Sequence, residues 1–179
     1  MVISARRRPL EAPIPTPRAT PEDFDQPTHV FVSGSILSSV RGEIRAETLR
    51  AGDRLKTRDG RHIGVEKVEI IEGTTGSSAV QEAMRPITIR RGTLAAGSPR
   101  RDIPVTRSQP VIGGAHGATA EKPAKDLGGR VTTATLGELA PKLILVTCEE
   151  TVVIGASGLW LGPNPMARAL HQACQTAHV

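Results

Sequence analysis

Aromatic residues are nearly absent from this chain: Phe24, Phe31 and Trp160 stand alone among 179 residues, and there is no tyrosine. Proteins that hold single-stranded nucleic acid stack the bases on aromatic side chains, so the composition argues against that class. Cysteine is equally scarce. Cys148 and Cys174 are too few and too far apart for a zinc motif or a disulfide framework. Cys148 ends the apolar run that starts at Leu143 and reads as a buried small hydrophobe. Two free thiols fit a reducing compartment, so the expected location is the cytoplasm or a particle assembled inside the cell. The N-terminus lacks the apolar run of a signal peptide, and no stretch is long enough to span a membrane. The histidines (His29, His62, His116, His171 and His178) show no metal-ligand spacing with one another, with cysteine or with acidic clusters. Neither a metal nor any other cofactor is expected.

What is present begins with charge. The net charge is +5 and the isoelectric point about 9.9, which favours an acidic partner without naming it. Phosphate contact through arginine stays open. Residues 1–27 form an arm in which Arg6, Arg7 and Arg8 precede Pro9, Pro13, Pro15, Pro17, Pro21 and Pro27. That spacing forbids helix and sheet and favours extended polyproline geometry. Such an arm is either a disordered tail or is held by a partner.

Residues 28–162 read as a β domain of short strands with glycine turns. Asp59-Gly60 is a hairpin signal between Leu55 and Ile63. The apolar phase then switches from Ile63 and Val65 to Val68 and Ile70, which a bulge near Glu66-Lys67 explains. Gly73–Ser78 and Gly113–Ala118 read as loops. Leu143–Thr147 and Thr151–Ile154 read as a paired hairpin, with Glu149-Glu150 as its solvated turn. Residues 163–179 read as a helix, started by Asn164 as cap and Pro165 in the first turn. Met166, Leu170, Ala173 and Cys174 form an apolar stripe on it. The stripe either packs on the parent domain or docks a partner.

Several segments carry a resemblance. Val30-Phe31-Val32-Ser33-Gly34-Ser35, then Leu49 through Gly60, then Val105-Thr106-Arg107-Ser108-Gln109 occur in an order that resembles the Hint fold. Hint is the self-cleaving module shared by hedgehog proteins and inteins, and the chain looks most like its bacterial branch. Arg85–Leu94, Pro99–Ile103, Pro123–Leu127 and Thr151–Leu159 resemble further segments of it, so the likeness runs from Val30 to about Leu161. It implies an all-β horseshoe of short strands.

The family starts with Cys-Phe-x-x-Gly-Thr and later carries Thr-x-x-His. In an active member, the resemblance implies, the cysteine thiol attacks the carbonyl before it and the peptide bond becomes a thioester. The histidine protonates the departing nitrogen, and the threonine fixes that geometry. Here Val30 stands at the cysteine position and Gln109 at the histidine position, while Thr106 matches. Valine has no lone pair, and a glutamine amide cannot give up a proton near neutral pH. The family's later strand histidine falls near Ile144.

Substitutes are few. Alternation along a strand turns Ser33 away from the face of Val30, and Ser35 takes the family's threonine position as a structural residue. His29 either lines the old pocket or is an ordinary strand-end histidine. Asp53 and Asp59 read as turn residues. Arg90-Arg91 and Arg100-Arg101 are scaffold or an anion site. The chain therefore reads as a catalytically inactive Hint-like module, structural or protein-binding, within a larger assembly. Arg6, Arg7, Arg8, Met166 and Leu170 are the candidates for partner contact. Two alternatives stand beside it: self-cleavage by a non-standard nucleophile, and a basic protein associated with nucleic acid.

Overall fold

The structure is a computed structural model that describes residues 28–95, 97–112, 121–132 and 142–176. Along these residues run β1 (His29–Val32), β2 (Ile36–Ser39), β3 (Gly42–Arg45), β4 (Arg54–Lys56), β5 (His62–Glu72), α1 (Ser78–Met84), β6 (Pro86–Ile89), β7 (Ile103–Thr106), β8 (Pro110–Ile112), β9 (Glu121–Pro123), β10 (Val131–Thr132), β11 (Lys142–Cys148), β12 (Ile154–Ala156), β13 (Leu159–Leu161) and α2 (Ala167–Thr176). The arm at 1–27, the glycine-rich segment at 113–118 with His116, and His178 lie outside the described residues.

Every strand pairing is antiparallel. One long sheet runs β1-β11-β5-β4-β2-β12-β13-β8-β9, with β3 attached to β2, and a small second sheet runs β10-β6-β7. The long sheet curls into a half-barrel whose two ends do not pair with each other among the described residues, the all-β architecture expected from the sequence.

Local turn chemistry works as the sequence predicts. Leu55 pairs with Ile63 across the Asp59-Gly60 turn. There the Gly60 N–H donates to the Thr57 carbonyl at 3.1 Å. Gly60 sits at φ 85°, a conformation that costs a residue with a Cβ. In the middle of β5, Thr147 faces Lys67 while Cys148 faces Val65, which leaves Glu66 as the extra residue of a bulge.

Two readings need correction. Leu143–Thr147 and Thr151–Ile154 do not form a hairpin. Both edges of β11 are already filled, by β1 and by β5, so Ile154 pairs with Leu161 instead. Glu149 and Glu150 are accordingly not a hairpin turn: Glu149 accepts from the Gly64 N–H at 3.1 Å, and Glu150 pairs with Arg61 at 3.3 Å. Second, the loop that starts at Gly73 ends at Ser77, where α1 begins. The Ser77 hydroxyl oxygen accepts from the Val80 N–H and caps that helix.

The core has two compartments divided by β1 and β11. Phe31, Ile144 and Val146 face a large cluster with Leu37, Leu55 and Ile103. Val30, Val32, Leu143 and Leu145 face a second, with Val80 and Met84 of α1 and Ala167 and Leu170 of α2. The unbroken apolar run of β11 follows from burial on both faces. Leu170 is fully buried. Leu170 is therefore core rather than a contact for a partner, and with Ala167 it packs α2 on the parent domain, while Met166, Ala173 and Cys174 of the stripe are only half-buried. The cause is the second face of β1 and β11, which would otherwise be bare.

Leu170→Asp should place a carboxylate in this compartment and cost at least about 3 kcal/mol. Thermal unfolding would show it as a large fall in melting temperature, against little change for Gln172→Asp on the exposed side of α2.

Candidate functional site

Val30, where the resemblance puts a nucleophile, is 1% exposed and belongs to the second apolar compartment. Its strand pairs with β11 in a register that sets Val30 opposite Leu145 and His29 opposite Val146. The peptide bond between His29 and Val30 is thus part of the ladder that joins β1, the first strand of the long sheet, to β11. Ile144, where the family's later histidine falls, is fully buried opposite Phe31.

Thr106 ends β7 and is fully buried. A tight turn follows, in which the Gln109 N–H donates to the Thr106 carbonyl at 3.0 Å. The Gln109 side chain is fully buried as well. Its Nε2 donates to the carbonyls of Pro110 at 2.9 Å and Gly162 at 2.7 Å. Those two carbonyls fix the amide's orientation, since a flipped amide would set oxygen against oxygen. Gln109 Oε1 is buried and has no hydrogen-bond partner among the described residues. The amide is a clamp between two strand ends.

Asn164 joins these pieces. Its Nδ2 donates to Thr106 Oγ1 at 3.0 Å, and its Oδ1 accepts from the Met166 N–H at 3.0 Å and from the Ser108 hydroxyl at 3.3 Å. Its own N–H donates to the Thr28 carbonyl at 3.0 Å. One hydrogen-bonded chain thereby runs from the start of β1 through Asn164 to Thr106 and on to Gln109. The sequence marks Asn164 as a helix cap with the helix starting at Pro165; in the structure α2 starts later, at Ala167, and Asn164 holds the turn that leads into it. The second role of its amide depends on β7, far away in sequence, and no local signal carries it.

The possible substitutes are committed elsewhere. The Ser33 hydroxyl donates to Glu47 at 3.2 Å, and the Ser35 hydroxyl to the Pro104 carbonyl at 2.8 Å. Asp53 accepts from the Arg50 N–H, and Asp59 accepts from Thr57 and Arg61, so both are turn residues. Burial pushes the Cys148 thiol up to about 12 and raises that of Cys174, so neither is a thiolate near neutral pH. Among the described residues no group of histidine, cysteine and acidic side chains could hold a metal ion. Arg101 is paired with Glu43 at 2.7 Å, and the Arg91 N–H donates to Asp102. Arg6, Arg7 and Arg8 lie outside the described residues.

Met166 does reach the surface. It is half-buried and lines a groove of about 520 Å³ beside the Thr106–Gln109 turn. Ala79 and Ala83 of α1, Pro123 and Pro165 complete the apolar floor, and Arg107, Ser108, Lys125 and Glu82 form the rim. Glu82 is paired with Arg107 at 2.7 Å and with Arg85 at 3.1 Å.

His29 faces the large compartment, stacked on Phe31 at 5.8 Å, away from Val30. Its Nε2–H donates to the Val152 carbonyl at 2.8 Å, which leaves Nδ1 to accept from the Thr28 hydroxyl at 2.8 Å. Full burial drives its pKa down to about 4, against the opposing pull of the Val152 carbonyl. In the unfolded chain the group titrates near 6.5. Its contribution is therefore intact above that pH and is lost as pH falls toward 4, because the unfolded chain alone takes up the proton. The shift corresponds to about 3 kcal/mol. Between neutral pH and the folded-state pKa, urea midpoints should fall more steeply for the natural chain than for His29→Gln. Equal slopes would contradict the buried neutral imidazole.

Comparison with curated proteins gives no match. The model of the Hint domain family matches residues 29–160, which span β1 to β13 and enclose Val30, Thr106 and Gln109. With that match over most of its length and with its curled antiparallel sheet, the chain belongs to the Hint domain family.

Proposed function

We propose that this chain is a catalytically inactive Hint domain that serves as a structural or protein-binding module in a larger assembly. One observation carries the reading: the two positions that would run the reaction are occupied by packing. The side chain of Val30 fills an apolar compartment, and the Gln109 amide is held by the carbonyls of Pro110 and Gly162.

The chemistry follows directly. Acyl transfer from nitrogen needs an electron pair at residue 30, and valine offers none. Release of the amine needs an acid at residue 109, and an amide is not one near neutral pH. Thr106 still receives its hydrogen bond from Asn164, so the orienting part of the site outlives the reacting part. Self-cleavage through another nucleophile has little support, since the nearby hydroxyls are engaged, the Cys148 thiol is buried, and both thiols are held in the protonated form by pKa values above the usual one. The nucleic-acid reading has only the net positive charge behind it, and the scarcity of aromatic side chains argues against stacking of bases.

Purified full-length chain held with excess thiol should keep its full mass. A fragment ending at His29 would contradict inactivity. In the double variant Val30→Cys with Gln109→His, slow thiol-dependent cleavage at the same bond is expected, with much less in either single variant, because nucleophile and acid act as a unit. A folded double variant that stays whole would mean that more of the site has been lost than these two residues.

A further inference from the structure

The groove between α1, the Thr106–Gln109 turn and the start of α2 has an apolar floor and a basic rim. Ala79, Ala83, Pro123, Pro165 and Met166 supply the floor. On the rim, Glu82 is outnumbered by Arg107, Lys125 and the adjacent Arg85. An occupant of matching chemistry carries an apolar group flanked by carboxylates.

The chain holds such a segment, and it ends beside the groove. Glu22-Asp23-Phe24-Asp25 contains the arm's single aromatic residue, set among carboxylates. The arm joins the described domain at Thr28, whose carbonyl accepts from the Asn164 N–H at 3.0 Å. Pro165 and Met166, which line the groove, follow Asn164 directly. From Thr28 back to Phe24, extended chain reaches at most about 14 Å, enough to cross from that anchor into the groove.

We propose that the chain's own residues 22–25 dock in this groove, with the Phe24 ring on Met166 and the alanines, and the carboxylates toward Arg107 and Lys125. A tether this short holds the segment at high effective concentration, which favours it over the same segment of a second copy or an acidic peptide of a partner. Docking would fix the direction in which the rest of the arm, with Arg6, Arg7 and Arg8, leaves the domain. It would also press on the Asn164 junction that ties β1 to Thr106.

The full-length chain supplies its own probe. Its methionines are Met1, Met84 and Met166, so methyl-labelled methionine gives a spectrum that single substitutions assign. Neither Phe31 nor Trp160 lines the groove, and a ring-current displacement at Met166 therefore reports Phe24. The Met166 methyl should lie upfield in the natural chain and move to an undisplaced position in Phe24→Leu, with Met84 unmoved. Lys125→Glu should reduce the displacement, and adding Asp23→Lys with Asp25→Lys should recover it. A Met166 signal indifferent to Phe24→Leu would overturn the proposal. So would a displacement that fades on dilution, which assigns the groove to a second copy. A signal that moves only when a free acidic peptide containing phenylalanine is added would assign the groove to a partner, and would equally overturn it.

Discussion

The pairing of β1 with β11 is the constraint on which the rest of the domain depends. Both strands are buried on both faces, so each must alternate between two apolar compartments. The large compartment is closed by the curl of the long sheet and by the small sheet β10-β6-β7. The second needs a cover that strands do not supply, and α1 and α2 provide it. That is why Leu170 and Met84 are buried, and why a short helix interrupts a chain of strands. It also places residue 30, the position of chemistry in the family's motif, inside a core rather than at an opening.

The same constraint shapes what remains of the site. Thr28 begins the β1 segment and is tied to Asn164, which holds Thr106, whose turn sets Gln109 between the carbonyls of Pro110 and Gly162. Each link satisfies a buried polar group that would otherwise cost free energy. A network of this kind persists because it joins β1, β7, β8 and the start of α2, whether or not a reaction runs through it. Valine at residue 30 and glutamine at residue 109 fit these joints without breaking the chain of bonds.

Much of this was legible in the sequence where the determinants are local. Asp59-Gly60 specified its turn by backbone preference, and the phase switch after Val65 announced the bulge at Glu66. The motif order pointed to the family, and within it Val30 and Gln109 stand where the resemblance puts a cysteine and a histidine. What was not legible depends on distant partners. Leu143–Thr147 carries no sign that both its edges are taken, so it suggested a hairpin with the next apolar run. Ser78–Met84 is too short for a periodic signal, and only Val80 and Met84 mark its buried face. Asn164 reads as a cap because capping is a relation between neighbours in sequence, whereas its bond to Thr106 depends on a strand reached only through the fold. The arm's arginines lie outside the described residues, so their role rests on the sequence alone.

The central claim is that the position of the nucleophile has become a packing position. Denaturant unfolding of Val30→Ser tests it most directly, because serine removes buried methyl groups and adds a hydroxyl to an apolar compartment while leaving the backbone free to pair. A loss of about 2 kcal/mol or more is expected, with an unchanged denaturant slope. A Val30→Ser chain as stable as the natural one would show that residue 30 faces an open, hydrated site, and would contradict the conversion of this site into core.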